Sequence, residues 1–357
     1  MKKNLLKADI GLLCDVMSNQ CKSRDIKGQL KFANWIVSKL KSYGDFEHHI
    51  DKLGNLYVTK GQSDLYPCIV GHLDTVHNHV EGFIVKRVGD FIIGFDNYMG
   101  EQVGCGADDR VSIVIAIEMF KRHDNIKLFF PTDEEIGATG SYGCDITFFD
   151  NCCFMIQPDR NMYGNKKDYI NHTNGIAVTT KEFDEEISQI LKDYHYEPER
   201  GTFTDIGVLS SIGVDICAFN LSCYLNAHTD QEVVWLPLYE DALNLVNDTI
   251  TKMSYQQWKM PKRPVKSYGY NKWVFDDFDP YERDPVGSIL PEDDYFDIAM
   301  DEAYECRMGC NGDYVELQLD NTMYCSKCQK TLGESFLILE SIDKDTSQIE
   351  WKSQFDY

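Results

Sequence analysis

Cys68-Ile69-Val70-Gly71-His72-Leu73-Asp74 is the stretch whose reading decides the fold. The apolar run Cys68-Ile69-Val70, bounded upstream by Pro67, has the length and composition of a short buried strand. His72 and Asp74 then stand at its C-terminal end, which is where open α/β sheets bind their ligands. An imidazole with a carboxylate two residues on is a metal ligand beside a group able to orient it. A lone His-x-Asp also describes an ordinary hydrogen-bonded histidine, so the pair needs support from elsewhere in the chain.

That support comes from recurrence. Gly106-Ala107-Asp108-Asp109-Arg110 leads into a helical run from Val111 to Phe120. Leu128-Phe129-Phe130-Pro131-Thr132-Asp133-Glu134-Glu135-Ile136-Gly137 carries an apolar strand into adjacent carboxylates. Phe154-Met155-Ile156-Gln157-Pro158-Asp159 ends another strand on a carboxylate, and Asn226-Ala227-His228-Thr229-Asp230 adds a second isolated histidine. Two histidines and several carboxylates at successive strand ends suit a pair of divalent cations, zinc first among them.

The segments between these motifs alternate in period. Residues 5–43 read as two amphipathic helices, the second closed by Gly44. A short strand follows the turn at Gly54, and 83–88 with 91–95 form a hairpin about Gly89-Asp90. The helix opened by Asp108 is apolar in nearly every direction, which predicts burial over much of its surface. Further strands are expected at 126–131, 152–157, 175–180 and 215–219. Further helices are expected near 182–194, 204–213 and 238–254. Such alternation predicts a three-layer α/β/α domain over 1–258 with a mostly parallel, mixed central sheet.

Composition narrows the function classes. The chain has 357 residues, 43% hydrophobic, enough for one large domain and a smaller appendage. Its formal charge of −23 argues against a nucleic-acid surface. No stretch approaches the ~18 apolar residues of a membrane span, and the first residues lack the apolar core of a signal peptide. Thirteen cysteines in that context fit a reducing compartment, so a cytoplasmic protein with no membrane partner is expected. From Asp276 to Glu305 there are twelve acidic residues against one basic, Arg283. Residues 259–304 therefore read as an acidic linker, and aromatics such as Trp273 and Tyr281 imply that part of it docks.

Beyond it, 305–357 reads as a small zinc-ribbon-like module with a tail strand at 336–339. Cys306-x3-Cys310 and Cys325-x2-Cys328 stand fourteen residues apart, with alternation at Tyr314–Leu319 predicting a hairpin between them. Four thiolates at this spacing make a closed structural zinc site, which so short a module needs in order to fold. Its acidic flank points to docking on the chain itself or on a protein partner rather than on nucleic acid.

The motif order His72-x-Asp74, Asp108-Asp109, Glu134-Glu135-x-Gly137, Asp159, Thr204-Asp205 and His228 resembles the co-catalytic di-zinc exopeptidase superfamily, which includes peptidase T, leucyl and deblocking aminopeptidases and amino-acid deacylases. The resemblance spans roughly residues 5–254. It implies that Asp108 bridges two zinc ions, that Glu135 and His228 complete one site, and that His72 and Asp159 complete the other. Glu134 is then the general base and Asp74 holds the His72 imidazole. A cis peptide is expected between Asp108 and Asp109.

Relatives of peptidase T carry a lid domain where this chain has only Arg160–Phe203, and deblocking aminopeptidases insert a domain where it has 33 residues between Asp74 and Asp108. A lid-less aminopeptidase acting on short peptides is the reading that remains. An N-acyl amino acid deacylase or carboxypeptidase of the same superfamily is the alternative, and a non-enzymatic binding protein on this fold is a further one. Asp109 is expected to be an interior hydrogen-bonding residue, Asp133 and Asp230 to be solvated, His77 to be a surface residue, and Thr204 to cap a helix. Without a lid, the cleft lining is expected from 77–82, 96–104, 160–170 or the acidic segment.

Overall fold

The computed structural model describes residues 5–261 and, further on, the backbone of three short strands. The described residues fall into two units, one within Met1–Phe278 and one within Asp279–Tyr357.

In the first unit, α1 (Ile10–Met17) and α2 (Ile26–Lys41) start on Asp9 and Asp25, whose carboxylates accept the N–H groups of Leu12 and Gly28. Helix α2 ends at Ser42 rather than at Gly44, which turns the chain two residues later at φ +147°. Strands β1 (Glu47–Ile50), β2 (Leu56–Lys60) and β3 (Tyr66–Val70) follow. Pro67 lies inside β3 and not before it; the pairing of β3 with β8 (Cys152–Asn161) shifts register between Tyr66 and Cys68, where the missing N–H is tolerated. The hairpin is β4 (Phe83–Val88) and β5 (Phe91–Asp96), extended by β6 (Glu101–Val103). Next come α3 (Ala107–Arg122), β7 (Ile126–Phe130), α4 (Thr139–Tyr142) and then β8.

The second half brings β9 (Lys167–Thr173), β10 (Ile176–Ala177), α5 (Lys181–Asp193), β11 (Tyr196–Gly201) and α6 (Asp205–Ser211). It finishes with β12 (Ala218–Tyr224), β13 (Val233–Trp235) and α7 (Leu236–Met253). The sheet order is β1-β2-β7-β3-β8-β12-β9-β10, with β11 on β9, and β13 joins the β4–β6 hairpin in a smaller sheet.

The sheet is mixed as expected but not mostly parallel. Its central block β7-β3-β8-β12 is parallel, while β1, β2, β9 and β10 pair antiparallel at the edges. Short connections at the edges, such as the β1–β2 and β9–β10 hairpins, contribute to this, since only longer crossovers can return a strand in parallel. β9 and β11 were not anticipated: β11, Tyr-Glu-Pro-Glu-Arg-Gly, is a mostly exposed edge strand whose charges and proline mask its pairing. β12 runs past the expected 215–219 to Tyr224.

Alternation in the central strands feeds two cores, which is what makes three layers. Ile69, Leu128, Phe130, Phe154, Ile156, Phe219 and Leu221 pack under α1, α2, α3, α5 and α7. Cys68, Val70, Phe129, Met155 and Ala218 pack on the other face with Phe149, Ile206 and Leu209. Helix α3 is buried continuously from Ala107 to Phe120, as its all-round apolarity predicts. Its fully buried Ile113, Ile115 and Ile117 each contribute ~1.5–3 kcal/mol of transfer free energy. That burial anchors the helix start, where Asp108 sits. No helix among the described residues is long and apolar enough to cross a membrane.

In the second unit, β14 (Glu316–Leu317), β15 (Met323–Cys325) and β16 (Lys330–Leu332) form an antiparallel meander, with Cys325 opposite Lys330. The four-cysteine zinc site, the acidic segment from residue 262 and the tail strand otherwise lie outside the described residues.

Candidate active site

The site is assembled where β3 ends against the start of α3. Gly71 permits this approach: a Cβ there would lie 2.7 Å from the Ser112 side chain. Gly106, at φ +67°, turns the chain into α3, and the Asp108–Asp109 peptide is cis, as the resemblance implies. Arg110 draws the His72 loop down from below. It is 1% exposed and donates to the carbonyls of Leu73 (2.9 Å) and Asn19 (3.0 Å), with its guanidinium over the Phe32 ring.

Asp108 lies between the two histidines. Its Oδ1 is 3.0 Å from His72 Nε2 and its Oδ2 is 3.0 Å from His228 Nε2. Glu135 Oε2 lies 3.1 Å from the same His228 nitrogen, and Asp159 Oδ2 lies 3.9 Å from His72 Nε2. His72, Asp108 and Glu135 each present a ligand atom within 4.8 Å of the others, and so do His72, Asp109 and Asp159. All five side chains expected to hold ions thus meet, from five separate points of the chain.

Hydrogen bonds behind them set their orientation. His72 Nδ1 faces Asp74, with the carbonyl at 3.1 Å and Oδ1 at 3.3 Å. Asp74 Oδ1 accepts the backbone N–H of Glu134 at 3.0 Å, and Oδ2 accepts Ser23 Oγ at 2.7 Å. Asp109, fully buried as expected, accepts the His72 N–H at 3.1 Å and the Ser112 hydroxyl. Asp159 accepts from Tyr224 (3.0 Å) and Gln157 (3.1 Å). Gln157 also takes the Thr204 hydroxyl (2.7 Å) and donates to Asp205 (3.0 Å). Thr204 therefore starts α6, but its side chain does not cap it.

Asp133 corrects the solvated expectation. It is 2% exposed, sits in the left-handed region at φ +54°, and accepts from the Arg24 N–H and Gln29 Nε2, both at 2.7 Å. A left-handed non-glycine residue costs on the order of 1–3 kcal/mol and persists where its surroundings hold it. Here α2 holds it through Gln29, which fixes the turn presenting Glu134 and Glu135. Asp230 is exposed as expected.

His77 also departs from its surface role. Its Nε2 lies 3.1 Å from Glu232 Oε2, and that buried carboxylate accepts the N–H groups of Ala107 (2.9 Å) and Asp108 (3.4 Å). Glu232, Gln29, Gln157 and Arg110 have no role in the sequence reading because each acts across the fold; Gln157 and Arg110 lie inside the motif stretches, but nothing local shows what they hold. The one available signal was a charged or amide side chain inside an apolar pattern, as with Gln157 in β8.

Burial dominates the electrostatics. It pushes Glu134, Asp109 and Asp159 well above the usual carboxylate range, with neighbouring carboxylates adding to the effect. Burial and Asp108 push Glu135 up to about 7, and burial lifts Asp205 to about 6. Hydrogen bonds to Asp108 and Glu135 raise His228 to about 11. For His72, burial opposes the charge, but Asp108 and Asp74 outweigh it and raise its pKa well above 6.5. Acidic groups crowded this closely out of water call for cations. Glu135 Oε1 is buried with no hydrogen-bond partner, so a donor other than the protein suits it. The imidazole and carboxylate donor set fits a pair of divalent ions.

These groups open on a cleft of about 220 Å³, whose lining includes Asp108, Glu134, Glu135, Asp159 and His228. Its wall also includes Arg160, Asn161, Tyr163 and Ile170, the 201–204 stretch at the end of β11, and Asn220, Tyr224 and Ala227. Among the described residues, 160–170 contributes as expected while 77–82 and 96–104 do not reach this cleft; the acidic segment lies outside the described residues.

The fold is shared with solved structures of aminopeptidases and a tripeptidase. Three solved structures with the same fold are the aminopeptidase PepT of Bacillus cereus, a tripeptidase of Staphylococcus aureus and the TET aminopeptidase of a marine-sediment thaumarchaeon. PepT aligns with a TM-score of 0.54 and 11% identity over 68% of this chain and 97% of its own. The tripeptidase aligns with a TM-score of 0.53 and 11% identity over 69% and 98%. The TET aminopeptidase aligns with a TM-score of 0.50 and 13% identity over 69% and 97%. At such identities the likeness is one of fold. No family model matches the sequence. No curated protein sequence matches it either.

Proposed function

We propose that this chain is a metal-dependent aminopeptidase that hydrolyses short peptides. The observation that carries the reading is Asp108, with one carboxylate oxygen 3.0 Å from each of two histidines and Glu134 in the same cleft. Asp108 would bridge two divalent ions, Glu135 and His228 completing one site and His72 and Asp159 the other. When bound, such a pair lowers the pKa of water and stabilises charge on a carbonyl oxygen.

The remaining steps belong to the protein. Glu134 takes the proton of the attacking water and returns it to the leaving amine. Its burial and raised pKa suit a group that must hold that proton between the two transfers. Asp74 fixes the His72 ring through Nδ1 and fixes Glu134 through its backbone N–H. The cleft, smaller than the ~300–1,000 Å³ of drug-sized sites, suits short substrates. The structural neighbours, two aminopeptidases and a tripeptidase, support the same choice. Cys306, Cys310, Cys325 and Cys328 would hold a third, structural zinc, an assignment carried by their spacing.

Comparing release from amino-acid p-nitroanilides with hydrolysis of N-acyl amino acids tests the proposal. Hydrolysis of the anilides alone supports an aminopeptidase, and hydrolysis of the N-acyl compounds alone replaces it with a deacylase. Glu134→Gln should lower kcat by about 10²–10⁴-fold with metal content unchanged. Full activity in that variant would remove Glu134 from its role.

A further inference from the structure

Among the described residues, Arg160 is the one lysine or arginine in the cleft lining, set against Asp108, Glu134, Glu135 and Asp159. It directly follows Asp159 on β8, and its side chain is 19% exposed. Its Nε donates to Asp168 Oδ2 over 2.9 Å, and the Tyr163 ring lies 5.6 Å from its Cζ. Asp168 is itself buried on β9, its N–H donating to Ser222 Oγ of β12 at 3.0 Å. Two neighbouring strands thus fix the guanidinium through its side edge. The terminal edge, formed by Nη1 and Nη2, carries no hydrogen bond to the described residues. Those two parallel N–H vectors match a carboxylate.

We propose that Arg160 reads a free carboxylate on the substrate, which deepens the peptidase reading and rests on it. An extended residue spans ~3.3–3.6 Å, so a carboxylate one residue from the scissile bond stays inside a cleft of about 220 Å³. An anionic group entering among four carboxylates needs one fixed positive pole, and Arg160 supplies it. A partly buried guanidinium whose Asp168 contact leaves donors over gives a stronger bond to an incoming anion than an exposed lysine would. The carboxylate belongs either to the C-terminus of a short peptide or to an acidic side chain, and both present the same two oxygens.

Zinc-loaded full-length protein and its Arg160→Gln and Arg160→Lys variants are assayed on Ala-Ala, Ala-Ala-amide, Glu-p-nitroanilide and Leu-p-nitroanilide. If the C-terminal carboxylate is read, Arg160→Gln lowers kcat/KM for Ala-Ala about tenfold to hundredfold, the ratio one charge-assisted hydrogen bond carries. That loss falls on KM, spares the amide, and is partly recovered by Arg160→Lys. If an acidic side chain is read, the loss falls on the glutamyl anilide and spares the leucyl one. Equal loss on all four substrates reduces Arg160 to a strut for Asp168 and overturns the proposal, as does no loss on any.

Calorimetric titration of the same four probes into Glu134→Gln, with and without Arg160→Gln, separates the two layers of the argument. If wild-type protein hydrolyses none of them, the peptidase reading falls. Weaker binding of only the free-carboxylate probes in the double variant would still uphold the carboxylate contact. Unchanged binding, or none of any probe, overturns it.

Discussion

Asp74 Oδ1 accepts the backbone N–H of Glu134 over 3.0 Å, while the same carboxylate stands 3.3 Å from His72 Nδ1. One buried side chain therefore sets both the proposed metal-ligand imidazole and the start of the turn that presents the proposed base. Asp74→Asn keeps the shape but trades a charged acceptor for an amide. We expect activity to fall about 10–100-fold and zinc affinity to weaken by a similar factor, measured by steady-state kinetics and competition with a chelator. Unchanged zinc affinity would show that Asp74 does not support His72.

Glu232 is 0% exposed and joins His77 to the N–H groups that begin α3. Glu232→Ala strands those buried donors without an acceptor. A loss of about 2–3 kcal/mol of unfolding free energy is expected in urea titration of the metal-free protein. A change below about 0.5 kcal/mol would mean that the α3 start is held by other contacts.

Metal binding should release protons. Hydrogen bonds to Asp108 and Glu135 raise His228 to about 11, and His72 is also raised well above 6.5, so both imidazoles are protonated at pH 7 without metal. A ligating nitrogen must be bare, so affinity rises with pH across the neutral range. Calorimetry in buffers of different ionisation enthalpy should find at least two protons released per pair of zinc ions, because the ligand carboxylates Asp159 and Glu135, raised by burial, add to the imidazoles. Release of none would mean that the imidazoles are already neutral, and that their contacts with Asp108 and Glu135 are of another kind.

The motif residues were legible because strand ends announce themselves: apolar runs stop on His72, Asp133-Glu134-Glu135 and Asp159, and period alone places them on one side of a parallel block. What was not legible depends on contacts distant in sequence. Asp133 reads as solvated until Gln29 of α2 is seen to grip it, and His77 reads as a surface residue until Glu232 reaches it from 155 positions away. The β9–β11 edge was hidden for a different reason, since β11 is an exposed, charged edge strand with no apolar period to find. The cleft wall at Gly201–Thr204 follows from that strand and was missed with it.

The central claim is that Asp108 bridges two ions between His72 and His228. Anomalous diffraction from crystals of the zinc-loaded protein, recorded on both sides of the zinc edge, tests it most directly. Two peaks about 3.5–4 Å apart are predicted, one beside each Asp108 carboxylate oxygen, and both should vanish in Asp108→Ala. A single peak elsewhere, or none among His72, Asp108, Glu135, Asp159 and His228, would contradict the account.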